Sequence, residues 1–134
     1  MIDLRNDILV NSVQNIGTIS SNTTTTSTSI DSKGYNSLTF VIYSGNITDG
    51  VYTPSIEGST DNTNWTALGT DELLGTVSNA TLISTSDNVV KTIGIASRYR
   101  YYRLKIVSTG VTTGGTISAL TILAYPTSLP TSGN

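Results

Sequence analysis

The sequence predicts an all-β fold: an antiparallel β-sandwich or jelly roll of about seven or eight strands, with extended N- and C-terminal arms. Three observations carry that expectation. Helical periodicity is almost absent, whereas apolar and polar residues alternate with period two again and again. Turn residues divide the chain into short segments at the spacing of a sandwich. Ser and Thr supply about a third of the 134 residues, and the branched threonine side chain suits a pleated surface.

The elements follow in order. Residues 1–30 read as an N-terminal arm with a first strand, because residues 20–29 are almost purely Ser, Thr and Asn. Such a run lacks the apolar area to order itself. Chain ends fray unless something ties them down. Either the arm docks on its own domain or a partner holds it, and the partner is the preferred reading. Trimming residues 1–19 should then leave the thermal midpoint nearly unchanged.

The sandwich domain is expected over 31–125. Residues 38–43 form a strand with Leu38, Phe40 and Ile42 on one face; Val41 and Tyr43 on the other place it inside a sheet. Residues 52–59 form the next, with Tyr52, Pro54 and Ile56 on one side and Thr53, Ser55 and Glu57 on the other. Pro54 cannot donate a ladder hydrogen bond, which points to an edge or a bulge. A turn over 61–64 leads into a strand from Trp65 to Leu68. Residues 70–75 read as one helical turn, with Thr70 as N-cap and Gly75 as stop. Further strands are expected over 80–84, 89–95, 99–107 and 116–125. In the 99–107 strand Tyr102, Leu104 and Ile106 point inward, and Tyr101, Arg103 and Lys105 outward. Residues 126–134 form a Pro/Ser/Thr/Gly tail.

Composition bounds the chemistry. The length suits one core. Neither Cys nor His is present, so the common zinc sites, disulfides and Ser-His-Asp or Cys-His nucleophile systems cannot be built. Carboxylates, hydroxyls, tyrosines and three lysines remain. Charged residues are only 12% of the chain and the net charge is −2, which argues against nucleic-acid binding. The start, Met1 to Asp7, shows no basic region followed by an apolar run, and no stretch approaches a membrane helix. No cofactor, metal or membrane association is expected, and no enzymatic activity.

Several groups invite a chemical reading. Glu57 and Asp61 could form a carboxylate pair, yet four residues of strand span roughly 13 Å, beyond the ~5 to 9.5 Å of glycosidase pairs. Asp49, Asp61, Asn62 and Asn64 offer oxygens to calcium, but the glycine and distal glutamate of an EF-hand loop are missing. Asp and Asn are also what turns require, and that reading prevails. Trp65 and Tyr102 are expected in the core. Tyr99 and Tyr101 share the neighbourhood of Arg98, Arg100, Arg103 and Lys105, four of the seven basic residues. This strand is either a solvated face or a binding surface, since Tyr and Arg are enriched at interfaces.

Over roughly 35–125, the chain resembles small virion proteins of tailed bacteriophages. The residues concerned are Asp49-Gly-Val-Tyr-Thr-Pro-Ser-Ile-Glu-Gly-Ser-Thr-Asp61 up to Trp65, Asp71-Glu-Leu-Leu-Gly75, Arg98-Tyr-Arg-Tyr-Tyr-Arg-Leu104 and Thr113-Gly-Gly115. In particular it is similar to head decoration, or cement, proteins. The resemblance implies a non-enzymatic protein assembled in the host cytoplasm, bound to the major capsid protein on the capsid exterior and stabilising it. It also implies a homo-oligomer, with a trimer favoured over a dimer. Partner contacts would come from Arg98, Tyr99, Arg100, Tyr101, Arg103 and Lys105, and from Ile2, Leu4 and Arg5 of the arm. A tail or neck protein of similar fold is an alternative. A second alternative is a discoidin-like carbohydrate-binding module, which the late Arg-Tyr-Tyr-Arg-Leu strand and a mid-chain Trp also resemble.

Overall fold

The computed structural model describes residues 4–13 and 16–127; Ile2, named above, lies outside them. After a 3-10 turn at Leu4–Asn6 come β1 (Ile8–Ser12), β2 (Thr18–Ile19), β3 (Thr24–Thr26), β4 (Ile30–Asp31), β5 (Tyr35–Ile47) and β6 (Val51–Ser59). Then follow β7 (Thr66–Ala67), a 3-10 turn at Thr70–Glu72, β8 (Leu73–Leu74), α1 (Val77–Ala80), β9 (Val90–Ile95), β10 (Tyr101–Thr109) and β11 (Gly115–Pro126). These strands make two antiparallel sheets. The first runs β1-β11-β5-β9-β8 with β2 added on β11, and the second β3-β10-β6-β7 with β4 on β10. The chain is an all-β sandwich, as the alternation predicts.

Alternation places the core between the sheets. Phe40, Ile42, Ile93, Ile117 and Leu123 enter it from the first sheet, and Tyr52, Ile56, Leu104 and Ile106 from the second, all buried. Each such side chain contributes roughly 1.5–3 kcal/mol by leaving water. Strand β5 lies between β11 and β9, which explains why its outer face is apolar too. Pro54 lies where its missing N–H costs nothing. The Tyr52 N–H on that side of β6 bonds the Leu82 carbonyl, and Leu68 N–H bonds the Ile56 carbonyl, leaving Pro54 in the gap between them.

The N-terminal region departs from expectation. Strand β1 pairs with β11 from Ile8↔Ala124 to Ser12↔Leu120, and β3 and β4 pair with β10. The Ser/Thr run therefore docks on its own domain. Its hydroxyl and backbone groups replace the missing apolar area: Ser27 Oγ accepts from Leu104 N–H, and Ser108 Oγ donates to Ser21 O. At the other end β11 continues through Pro126.

Two local expectations also change. The turn over 70–72 is capped by Gly69, whose N–H donates to Glu72 Oε1 at 3.2 Å, and Thr70 lies inside it. The chain then extends at once, because Leu73 and Leu74 pair with Ile95 and Gly94 of β9. Residues 80–84 are not a strand. Thr76 Oγ1 accepts from Asn79 N–H and caps α1, and only Leu82 makes a β-bridge, to Tyr52.

Asp49 fastens one end of the sandwich. Its carboxylate accepts the backbone N–H groups of Thr112, Thr113 and Gly114 at 2.9–3.1 Å. Those bonds, Thr113 first, hold its carboxyl below the usual value of 3.8. Gly114 has φ +103°, and a Cβ there would overlap the Ile19 carbonyl, so only glycine fits. Among the described residues no helix is long and apolar enough to cross a membrane.

Candidate functional site

The outward side of the second sheet gathers most of the residues that the sequence singles out. Register decides which side chains share a row. Glu57 stands between Arg103 and, on the far side, Ala67; Lys105 stands beside Ser55 and Thr26; Tyr101 lies beside Asp31.

Glu57 organises the middle row. Arg103 Nε donates to Glu57 Oε1 at 2.7 Å, and Lys105 Nζ lies 3.8 Å from Oε2. The Glu57 side chain is only 15% exposed, so this pair is better shielded than an ordinary surface ion pair. Above it, the Arg103 guanidinium lies 4.3 Å from the Trp65 ring centroid. Trp65 is thus not in the core. Ala67 pairs with Glu57 and faces outward, and Trp65, two residues earlier, takes the same side by alternation. It is half-buried beneath the arginine.

The upper corner is built around Arg100. Its Nε and Nη2 donate to Asp31 Oδ1 and Oδ2 at 3.0 and 2.9 Å, and its guanidinium lies 4.9 Å from the Tyr101 ring centroid. The Arg100 hydrogen bond lowers the Asp31 carboxyl from its usual value, against the opposing effect of burial. Tyr102 supports this corner from inside. Its hydroxyl donates to Ser97 O at 3.0 Å and accepts Tyr99 N–H at 2.9 Å, much as a tyrosine corner does in other sandwiches. The Tyr99 ring meets the Tyr102 ring edge-on, 6.3 Å between centroids, and fills the space over Gly58.

The two carboxylates considered as a pair are employed separately. Asp61 closes its own turn: Oδ1 accepts from the Thr63 and Asn64 N–H groups and the Ser59 hydroxyl, and Oδ2 accepts from Asn64 Nδ2. These bonds hold its carboxyl far below the usual value. Asn62 takes φ +61°, a left-handed turn position that asparagine tolerates. Among the described residues no group of three or more His, Cys, Asp or Glu could hold a metal ion.

Tyr101, Arg103 and Lys105 therefore meet on one face, with Arg100 at its corner. Tyr99 and the exposed Arg98 lie in the preceding loop, facing a cleft of about 650 Å³ at that end of the sandwich. Leu4 and Arg5 stand elsewhere, in the 3-10 turn ahead of β1 on the first sheet. Asp31 and Glu57 complete the site. Glu57 had a legible signal, since its outward parity on β6 meets the outward parity of β10. Asp31 had none, being 69 residues from Arg100.

No protein-family model and no curated protein matches the chain. Solved structures do share its fold. The PBSX exported protein XepA matches with a TM-score of 0.54 and 13% identity, over 100% of this chain and 42% of that protein. The chain thus spans less than half the length of XepA. The SPBc2 prophage-derived protein YomS matches with a TM-score of 0.50 and 18% identity, over 87% of this chain and 93% of that one. The CBM32-1 module from a family 31 glycoside hydrolase of Clostridium perfringens reaches a TM-score of 0.43 at 17% identity, covering 92% of this chain and 100% of its own, too loose to argue from. The class so defined is a β-sandwich with a cation–aromatic outer face. In fold it is similar to two phage-derived proteins.

Proposed function

We propose that the chain is a virion structural protein that binds the outside of a phage capsid as a decoration protein, through the outward face of β10. The observation that carries this reading is the Trp65–Arg103–Glu57–Lys105 row beside Tyr101 and Arg100. Trp, Tyr and Arg are the side chains that dominate binding energy at interfaces. Here they are held by ion pairs and ring contacts before any partner arrives, which lowers the entropy lost on docking. The fold likeness to two phage-derived proteins supports the phage setting. The partner is the major capsid protein, and the chemistry is recognition rather than catalysis.

A mass-spectrometric inventory of purified particles, separated into heads and tails, tests the assignment. The chain should be found in the head fraction. Recovery with tails alone would support the tail or neck alternative, and absence from intact particles would end the virion reading.

A second reading, carbohydrate binding, draws on the cleft between residues 32–38 and 95–100. Its walls include Tyr35, Tyr99, Asn36, Lys33 and Arg98, an aromatic and hydrogen-bonding lining that suits a sugar. Titration with a panel of cell-wall oligosaccharides would then show binding that Tyr99→Ala abolishes, and no oligosaccharide binding would dismiss it.

A further inference from the structure

The outer face of the first sheet has the opposite character to the site described above. Register places Ile122, Thr39, Gly94 and Leu74 in one outward row, Leu120, Val41 and Thr92 in the next, and Ser118, Tyr43 and Val90 in a third. Among the described residues no Asp, Glu, Lys or Arg points outward from these strands. Leu74, Val90 and Tyr43 nevertheless stand 62%, 65% and 39% exposed. On the second sheet, by contrast, Asp31, Glu57, Arg103 and Lys105 all point outward. A charge-free apolar sheet face is the kind of patch that marks an interaction surface.

We infer that this face packs against the same face of a second copy of the chain. Its size fits: four strands ~4.8 Å apart, paired over about five residues each, with the two-residue β8 at the edge, cover roughly 350 Å² in plan, before side-chain relief is added. A stable interface needs about 1,000 Å² counted over both partners, which the side-chain relief of two such faces supplies. The absence of charge leaves nothing for a charged partner to read, whereas an identical apolar face is complementary to it. A twofold axis lying along β5 keeps each residue at its own level along the strands and sets β9 of each copy over β11 of the other and β8 over β1, so that Val90 faces Ser118 and Leu74 faces Val10. The two sheets then stack ~10 Å apart, as in the sandwich itself. The cation–aromatic faces of both copies remain outward, free for a larger partner.

Light scattering during gel filtration of the full chain tests this, together with Val90→Glu and Leu74→Glu. Both sites are exposed enough for the fold to survive, which far-ultraviolet circular dichroism checks. The wild type should elute with twice the 14.1 kDa mass of the chain, and each variant as a single chain. Mixing Val90→Glu with Ser118→Lys should restore the pair, because Val90 of one copy meets Ser118 of the other. If Ser118→Lys does not fold, the Val90→Glu and Leu74→Glu variants decide alone. A monomeric wild type, a dimer indifferent to both of those variants, or a well-folded mixture that stays monomeric overturns the arrangement. A monomeric wild type whose particle binding is lost in Val90→Glu gives the face to a foreign protein instead, and overturns it as well.

Discussion

Arg103 lies over Trp65, 4.3 Å from the ring centroid, while its Nε donates to Glu57 at 2.7 Å. One guanidinium thereby joins three elements: β10, β6 and the segment leading into β7. The contact fixes the aromatic on the surface, where it can meet a partner.

Removing it should matter little to the fold and much to binding. A double-mutant cycle on Trp65→Ala and Arg103→Ala should return a coupling of about 0.5–1 kcal/mol in urea unfolding. Particle binding should weaken by about 2 kcal/mol for either single variant, roughly thirtyfold in affinity. Equal losses in stability and binding would make the contact purely structural.

Deleting residues 1–12 should destabilise the domain itself. Strand β1 pairs with β11 at five positions, and Leu9 packs against the core. Ile8, Leu9 and Val10 are each partly buried, so losing them costs a fraction of the roughly 1.5–3 kcal/mol of a fully buried side chain apiece, about 2–4 kcal/mol together. The thermal midpoint should fall by about 10 °C or more. An unchanged midpoint would mean that β1 is a dispensable arm after all.

Acid should loosen the Thr112–Gly114 loop. The Asp49 carboxyl titrates below its usual 3.8 because backbone N–H groups, that of Thr113 foremost, bond the charged form. The unfolded chain therefore binds this proton more readily than the folded one. The stabilisation is complete above the usual value and is lost as pH falls through the lower folded value. Asp31 and Asp61 shift the same way and add to the global effect. The difference between wild type and Asp49→Ala isolates this site: it should be largest near neutrality and shrink below pH 3.8, followed by amide exchange at Thr113 and Gly114. A difference independent of pH would contradict the account.

Tyr102→Phe tests the corner behind Arg100. It removes the hydroxyl that links Ser97 O to Tyr99 N–H and leaves that N–H unsatisfied, costing about 1–3 kcal/mol. Amide protection over 97–100 should drop, while protection in β11 changes only with global stability. Uniform loss across both would show that the hydroxyl does not organise the loop.

The sequence made the long strands visible and the short ones obscure. Leu38, Phe40 and Ile42, or Tyr102, Leu104 and Ile106, alternate over enough residues to reveal both strand and buried side. Thr24–Thr26 and Ile30–Asp31 are strands only because β10 is there to pair with them, a long-range fact with no local trace. Leu82 looked like the centre of a strand because an apolar residue between polar ones fits a bridge and a strand alike. Trp65 has the size and apolarity of a core residue, but the parity of β7 turns it outward onto Arg103. The outward set of β10 could be read directly, whereas its acidic partners Asp31 and Glu57 needed the fold.

The central claim is that the β10 face is the docking surface. Co-sedimentation with purified phage heads, comparing wild type with Arg103→Glu and Tyr101→Ala, tests it most directly. The wild type should pellet with intact heads and not with free capsid subunits, and both folded variants should remain in the supernatant. Variants that pellet as well as the wild type would contradict it.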